Sequence, residues 1–404
     1  MSKTFKIILL CFILLALAFS LSLLFKEKVR PSEGEWKEKG SALSEIRGHR
    51  EACRGSGTVN LTYSPMPLEQ VELIQPMGLM QGQHVTPTDH QYFIPPQVKD
   101  RSELTLDDLS DVIAPGDGVI TSVERMNDFF AVKNAQFKDY RLYLHYTCDL
   151  YTIFIHIYQL SPEIEEQVKD LGPGDNKYVS IPVVAGQRIG KANGLDFSLV
   201  DENVVLPGFI FPAHYDREPW KVHTVDAYPY FVEPLRTQLI AKSLRKVAPY
   251  GGKIDHDIDG RLIGTWFKEG TRGYRGIKEP EYWVTHVSFS PNAIDPSYFL
   301  ISFGNFSDDT RQFGTKDNSP DPAQVSVSSG PVKYELVDYI YVTGGSNWNG
   351  ASYADGIQAA SGSQEKGIVL VQLVEDRKLR LEIFPDRKAE EVSGFTEHAV
   401  FYER

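Results

Sequence analysis

The sequence predicts a mainly β chain built as two successive strand-rich units, and three observations carry that reading. Aromatic residues make up 12% of the 404 positions, with 20 Tyr and 22 Phe, and such side chains suit the pleated, half-buried surface of strands. Runs of alternating apolar and polar residues recur, most of them bounded by Gly, Pro, Asp or Asn, which is the pattern of strands separated by turns. The turn Pro249-Tyr250-Gly251-Gly252 then separates two stretches of different motif content, so a second unit is expected over residues 246–404.

Lys3 and Lys6 precede an uncharged run, Ile7–Phe25, and Lys26, Lys28 and Arg30 follow it. A spanning helix needs about 20 apolar residues. Residues 1–30 therefore read as an uncleaved membrane anchor, with a cleaved secretory signal as the alternative. Under either reading the remainder is expected to be extracytoplasmic, anchored through the N-terminal segment or secreted. Residues 31–67 are polar, rich in Gly, Ser, Glu and Lys, and read as a spacer. A net charge of −12 argues against nucleic acid, or an anionic membrane surface, as a direct ligand. Beyond the anchor only Cys53 and Cys148 remain. In an exported chain they form one disulfide or stay as two thiols, and the sequence leaves both open.

Residues 68–205 are strand-like. Val112–Val123 is two apolar stretches around Pro115-Gly116-Asp117-Gly118. Arg141–Leu160 reads as a hairpin around Thr147-Cys148-Asp149-Leu150, with Tyr151, Ile153, Ile155 and Ile157 on one face. That turn sets His145 opposite Thr152 and gives His145 and His156 a common face, with His145 read as structural. Ile181–Val200 adds two strands around a Gly turn. Residues 206–245 read as a connecting segment of Pro-rich turns and one helix, Val232–Arg245, with Leu235, Leu239 and Leu244 on its period and Pro234 in its first turn.

In the second unit, runs such as Leu262–Phe267, Tyr298–Phe303, Lys333–Val342 and Leu379–Phe384 read as strands, and residues 343–367 as a long polar Gly-Ser loop. Asp255-His256-Asp257-Ile258-Asp259-Gly260 has the look of a cation loop but lacks the Glu and spacing of an EF-hand, and reads as a solvated turn. Gly264-Thr265-Trp266 resembles the Gly-x-Trp of lipocalin-type barrels; a buried Trp in any β-barrel or β-sandwich explains it as well. The second unit is expected to be one of those two architectures.

Four segments of the first unit, in order, resemble the LytM/lysostaphin-type zinc metallopeptidases. Ala114–Ile120 looks like the family's strand and turn after its first metal ligands, and Phe154–Leu160 like its Tyr-x-His-Leu strand. Val184–Gly190 is similar to its Gly-Gln-x-Ile-Gly turn, and Gly194–Ser198 stands where the family carries His-Leu-His-Phe-Glu. Upstream, His84–His90 takes the place of its first His and Asp. The resemblance implies a LytM-like antiparallel sheet, the duplicated hybrid motif fold, over residues 68–205, and metal-assisted hydrolysis of peptide bonds. In that chemistry three protein ligands hold zinc and leave a position for water, whose pKa the metal lowers. Carried over by position, His84, Asp89 and Asp196 would be ligands and His156 the proton-handling group, with His90 competing with Asp89. One extra residue separates His84 from Asp89, and Gly194 replaces a catalytic His. A glycine cannot act as acid or base. Two functions follow as expectations: a degenerate domain that binds or scaffolds at the cell envelope, or a zinc endopeptidase acting on peptidoglycan or other envelope peptides.

Overall fold

The computed structural model describes residues 52–98, 103–127, 137–278 and 280–404. The expected anchor, residues 1–30, and most of the expected spacer lie outside them. Among the described residues no helix is long and apolar enough to cross a membrane.

The first region comprises β1 (Leu73–Gln75), β2 (Gln91–Ile94), β3 (Ser110–Ile113), β4 (Gly118–Arg125), β5 (Tyr140–His145), β6 (Leu150–Ile157) and β7 (Gln159–Leu160). The helix α1 (Pro162–Val168) follows, then β8 (Asn176–Val183), β9 (Arg188–Ala192), β10 (Leu195–Asp201) and β11 (Thr224–Val225). The large sheet runs β1-β2-β10-β6-β5-β4-β8, with β11 on β10, and β3-β9-β7 form a smaller one. All these pairings are antiparallel. One face of the large sheet sends Phe93, Leu142, Leu144, Phe154, Phe197 and Leu199 into the main core. The opposite face carries Tyr143, Tyr151, Ile153 and Val200.

Cys53 and Cys148 are joined as a disulfide, which ties the chain ahead of β1 to the turn between β5 and β6. Leu61 and Met66 are fully buried, and Leu61 bridges to Phe231. Packed structure therefore precedes residue 68, where the sequence pattern suggested only polar spacer. The connecting segment holds a shorter helix than its periodicity suggests, α2 (Leu235–Lys242), with Pro234 at its N-cap. Ser243 turns to extended backbone and the Leu244 amide donates to Ile74 O at 3.0 Å, so pairing to β1 outcompetes another helical turn.

The second region comprises β12 (Gly264–Lys268), β13 (His286–Pro291), β14 (Phe299–Phe306), β15 (Asp309–Thr315), β16 (Val332–Thr343), β17 (Ser346–Asn347), β18 (Gln358–Glu375), β19 (Lys378–Pro385) and β20 (Val400–Glu403). Apart from the short β17, which folds back on β16, each strand pairs with its neighbours in sequence, and β12 also pairs with β20. The sheet closes into an eight-stranded antiparallel barrel, a width that side chains can fill. Phe289, Ile301, Phe303, Tyr334, Val369 and Leu381 pack within its core. The expected polar loop at 343–367 is in part a hairpin, because β18 starts at Gln358 and pairs with β16 through Tyr339–Val342.

Trp266 is completely buried and donates from Nε1 to Leu262 O at 2.8 Å. The Arg404 guanidinium lies over its ring, 4.0 Å from the centroid, and ion-pairs with Asp257 at 3.5 Å. Gly264 has a φ of 114°, and a Cβ there would run into the Asp257 carboxylate and Arg404. That close approach is the physical reason for glycine two residues before the Trp. The 255–260 segment is accordingly no solvated turn: Asp255 is buried and accepts from the Gly208 amide at 2.9 Å. Apolar clusters formed by Met77, Phe209, Tyr215, Phe267 and Tyr274, and by Leu73, Leu79, Leu244, Ile294 and Ile357, connect sheet and barrel.

Candidate functional site

Three separate stretches bring ionisable groups to the outer face of the large sheet. His84, Asp89 and His90 lie between β1 and β2, in a loop braced by Gly78 N to Thr88 O (2.7 Å) and Thr88 N to Leu79 O (3.2 Å). Asp196, on β10, pairs with Tyr92 of β2 on one side and Ile155 of β6 on the other. Trp220 and Lys221 come from a single 3-10 turn, Pro219–His223, which starts on proline.

His156 reaches this face through a backbone irregularity. Tyr140 pairs with Ile157 and Leu142 with Phe154, so Ile155 and His156 together oppose Arg141. This is a β-bulge, a device that re-aims side chains. His156 itself has a φ of 69°, a left-handed conformation that is strained for a residue with a side chain. The expected alternation fails here, and Ile157 turns into the core with Phe154. His145 pairs with Tyr151 rather than Thr152. Thr147 Oγ1 accepts the Leu150 amide at 3.0 Å, which tightens the turn by one residue, and one residue of register reverses a face. The two offsets cancel, so both imidazoles still share a face. His145 is held apart from the cluster by Thr121 (2.9 Å) and by stacking on Tyr151.

Two imidazoles converge on one carboxylate oxygen. Asp196 Oδ2 lies 3.3 Å from His90 Nε2 and 3.5 Å from His156 Nε2. Each ring is backed by its own carboxylate: Asp89 Oδ1 stands 3.2 Å from His90 Nδ1, and Asp139 Oδ2 stands 2.8 Å from His156 Nδ1. His84 adds an edge-to-face contact with His90 at 5.5 Å. The sequence-derived candidates His84, His90, His156 and Asp196 are thus brought together. Asp89 is turned aside: it accepts from Trp220 Nε1 at 2.7 Å and ion-pairs with Lys221 at 3.1 Å. Asp139, Trp220 and Lys221 were not legible as site residues, since nothing local in the sequence marks them.

Two buried groups of the cluster, Asp89 and Lys221, hold each other ionised. Burial alone would raise the Asp89 pKa, yet Lys221 and then His90 outweigh it and hold the carboxyl well below its usual range. Burial alone would lower Lys221; Asp89 and Glu218 reverse that and keep the ammonium charged. Burial, then Asp196, raises the Tyr92 phenol, which stays protonated beside His90 Nε2 at 3.0 Å. Burial among protein atoms pushes the His84 imidazole down, and His90 and Lys221 add to this. His84 keeps an exposed edge, so solvent tempers the shift.

Zinc bonds of about 2.0–2.2 Å at a tetrahedral angle put two ligand atoms about 3.3–3.6 Å apart. The Asp196 distances to the two imidazoles match that edge. Imidazoles whose Nδ1 rests on a carboxylate are oriented as metal ligands commonly are. Among the described residues, however, no ready-formed group of three or more His, Cys, Asp or Glu side chains could hold a metal ion. Tyr92 occupies His90 Nε2, and the phenol would have to leave before a metal could bind there. Gly194, at a φ of 93°, meets nothing closer than 4.0 Å where a Cβ would stand. It immediately precedes β10, two residues before Asp196, and brings no side chain to the cluster. No model of a known protein family matches the chain, and no curated protein matches it.

Proposed function

We propose that the protein is an extracytoplasmic, envelope-associated binding or scaffold protein. In this reading its first domain is a LytM/lysostaphin-type peptidase frame with an incomplete catalytic set, held at the membrane by residues 1–30. The observation that carries the reading is that one candidate ligand, the buried Asp89, already has a buried cation as its partner. Lys221 sits on Asp89 where a catalytic metal would otherwise be the compensating cation, and Gly194 removes one acid–base group. The Cys53–Cys148 disulfide supports the extracytoplasmic part, because such bonds persist in oxidising compartments. The ligand is a peptidoglycan or other envelope peptide, met at the face around Asp196.

The strained, bulged His156 backed by Asp139 favours a second reading, a zinc-dependent endopeptidase. There His90, Asp196 and His84 would hold the metal, which would supply an activated water, while His156 handles protons. One experiment separates the two. The purified full chain is assayed for metal content, for co-sedimentation with peptidoglycan, and for release of envelope peptides in the presence of zinc. The binding reading expects co-sedimentation without cleavage, whether or not zinc is retained. Cleavage that Asp196→Asn abolishes would overturn it in favour of the hydrolase. Absence of both cleavage and co-sedimentation would overturn both readings.

A further inference from the structure

A cavity of about 260 Å³, lined by none of the histidine-cluster residues, lies between the sheet and the barrel. Gln75, Leu79 and Met80 line it from the first region, and Asn292, Tyr341 and Trp348 from the barrel. Its size falls just under the roughly 300–1,000 Å³ of drug-sized sites, which suits a ligand of about one six-membered ring. The lining includes no carboxylate, ammonium, guanidinium or imidazole. The occupant is therefore neutral, since a buried ion would lack a partner there.

The barrel wall of this cavity is aromatic and preorganised. Tyr341 packs edge-to-face on Trp348 at 5.9 Å and 83°, and on Tyr339 at 5.7 Å and 88°. Trp348 Nε1 is spent on Ser352 O at 2.9 Å, and its backbone amide donates to Tyr341 O at 2.8 Å. That side chain thus offers the cavity its aromatic ring rather than a donor. Asn292 is almost fully buried, and its Oδ1 accepts the Ile294 and Asp295 amides at 3.0 Å each. Its Nδ2 donates to the Tyr341 hydroxyl at 2.8 Å. A phenol that accepts one hydrogen bond still has its own proton to give, so Asn292 leaves Tyr341 as a donor. Facing this wall, Gln75 contributes an amide able both to donate and to accept.

Rigid aromatic faces, an oriented phenol donor and amides, with no charge, form a surface for a ring with apolar C–H faces and hydroxyls around its edge. We propose that this cavity binds a neutral saccharide unit, its ring against Trp348 and its hydroxyls on Tyr341 and Gln75. The same loop that lines the cavity at Leu79 and Met80 carries His84, whose amide donates to Gln81 O at 3.0 Å. One short segment thus contributes both to the sugar site and to the histidine cluster.

The test is calorimetric titration of the full chain, in a detergent without a sugar headgroup, with cellobiose, N,N′-diacetylchitobiose and trialanine. Binding of at least one disaccharide is expected, with quenching of Trp fluorescence that Trp348→Phe removes. Loss of one hydrogen bond in Tyr341→Phe, which keeps the ring, should weaken binding about tenfold. Asp196→Asn should leave it unchanged. Thermal melts of both aromatic variants separate lost binding from lost folding. No binding of either disaccharide overturns the proposal, as does unaltered affinity in both Trp348→Phe and Tyr341→Phe. Trialanine binding in place of the sugars, abolished by the same variants, overturns the saccharide assignment in favour of a neutral peptide.

Discussion

On the large sheet, the face around Asp196 gathers Asp89, His90, His156 and Lys221 within reach of one another. The barrel instead turns Phe289, Ile301 and Phe303 inward and meets charge at its end, where Arg404 lies on Trp266. Both regions are antiparallel, yet they handle buried ionisable groups differently. The sheet is open, so one face must be covered by connecting segments, and the turn Pro219–His223 brings a cation and a donor with it. Burying an ion costs several kcal/mol unless it is paired, and the sheet pairs its ions. The barrel closes on itself, and on its outer face His286 is buried beneath Phe267, Tyr274 and Tyr282 without an ion partner, which keeps that ring neutral. Covering segments thus bury ionisable groups in both regions, paired on the sheet and neutral on the barrel's outer face, while the barrel interior is given to packing.

The largest effect that bears on this contrast is expected for Trp266→Ala. Removing a wholly buried aromatic costs about 3–5 kcal/mol, here with Arg404 also stripped of its ring. Urea unfolding should show that loss in the barrel while the sheet region keeps its transition. Coincident loss of both would mean that the junction clusters weld the two into one cooperative unit.

The paired change Cys53→Ser and Cys148→Ser should come next. The bridge closes a loop across a sequence separation of 95, and losing such a bond costs about 2–4 kcal/mol. This loss is expected in the sheet region, read as a lower urea midpoint there and an unshifted barrel transition. A barrel that weakens equally would break the contrast.

The smallest effect is a pH dependence. Burial pushes His286 down to about 3, and its Nε2 has no hydrogen-bond partner. A depressed folded pKa contributes stability that is present above the ordinary imidazole value near 6.5 and is lost as pH falls towards 3. Between pH 7 and pH 5 this one group should remove about 2 kcal/mol. His286→Gln should flatten that part of the profile, measured as urea midpoint against pH. An unchanged slope would mean that the ring is charged in the folded state.

The strand content of both regions was legible, because alternation and turn residues are local signals. His84, His90, His156 and Asp196 could be named as candidates from ordered motifs. What was hidden depends on contacts distant in sequence. Closure of the barrel rests on Phe267 and Lys268 meeting Glu403 and Tyr402, and no window of sequence contains both. The role of Asp89 could not be separated from that of its neighbour His90, because what decides it is Lys221. The bulge at His156 leaves no residue signature, since a histidine at a φ of 69° is chosen by the surrounding sheet. The 255–260 segment read as solvated because its composition is polar, while Gly208 and Arg404 bury it.

The position of the disulfide also has a mechanical consequence. Any pull arriving along the chain from the N-terminal side reaches Cys53 and crosses to Cys148, in the turn joining β5 and β6. Tension then enters the interior of the large sheet, where β5 and β6 each have partners on both sides. The stretch from Arg54 to Glu72, with the buried Leu61 and Met66, is bypassed and carries no load. Reduction of that one bond would move the point of attack to Leu61, paired with Phe231, and then to β1 at the sheet's edge.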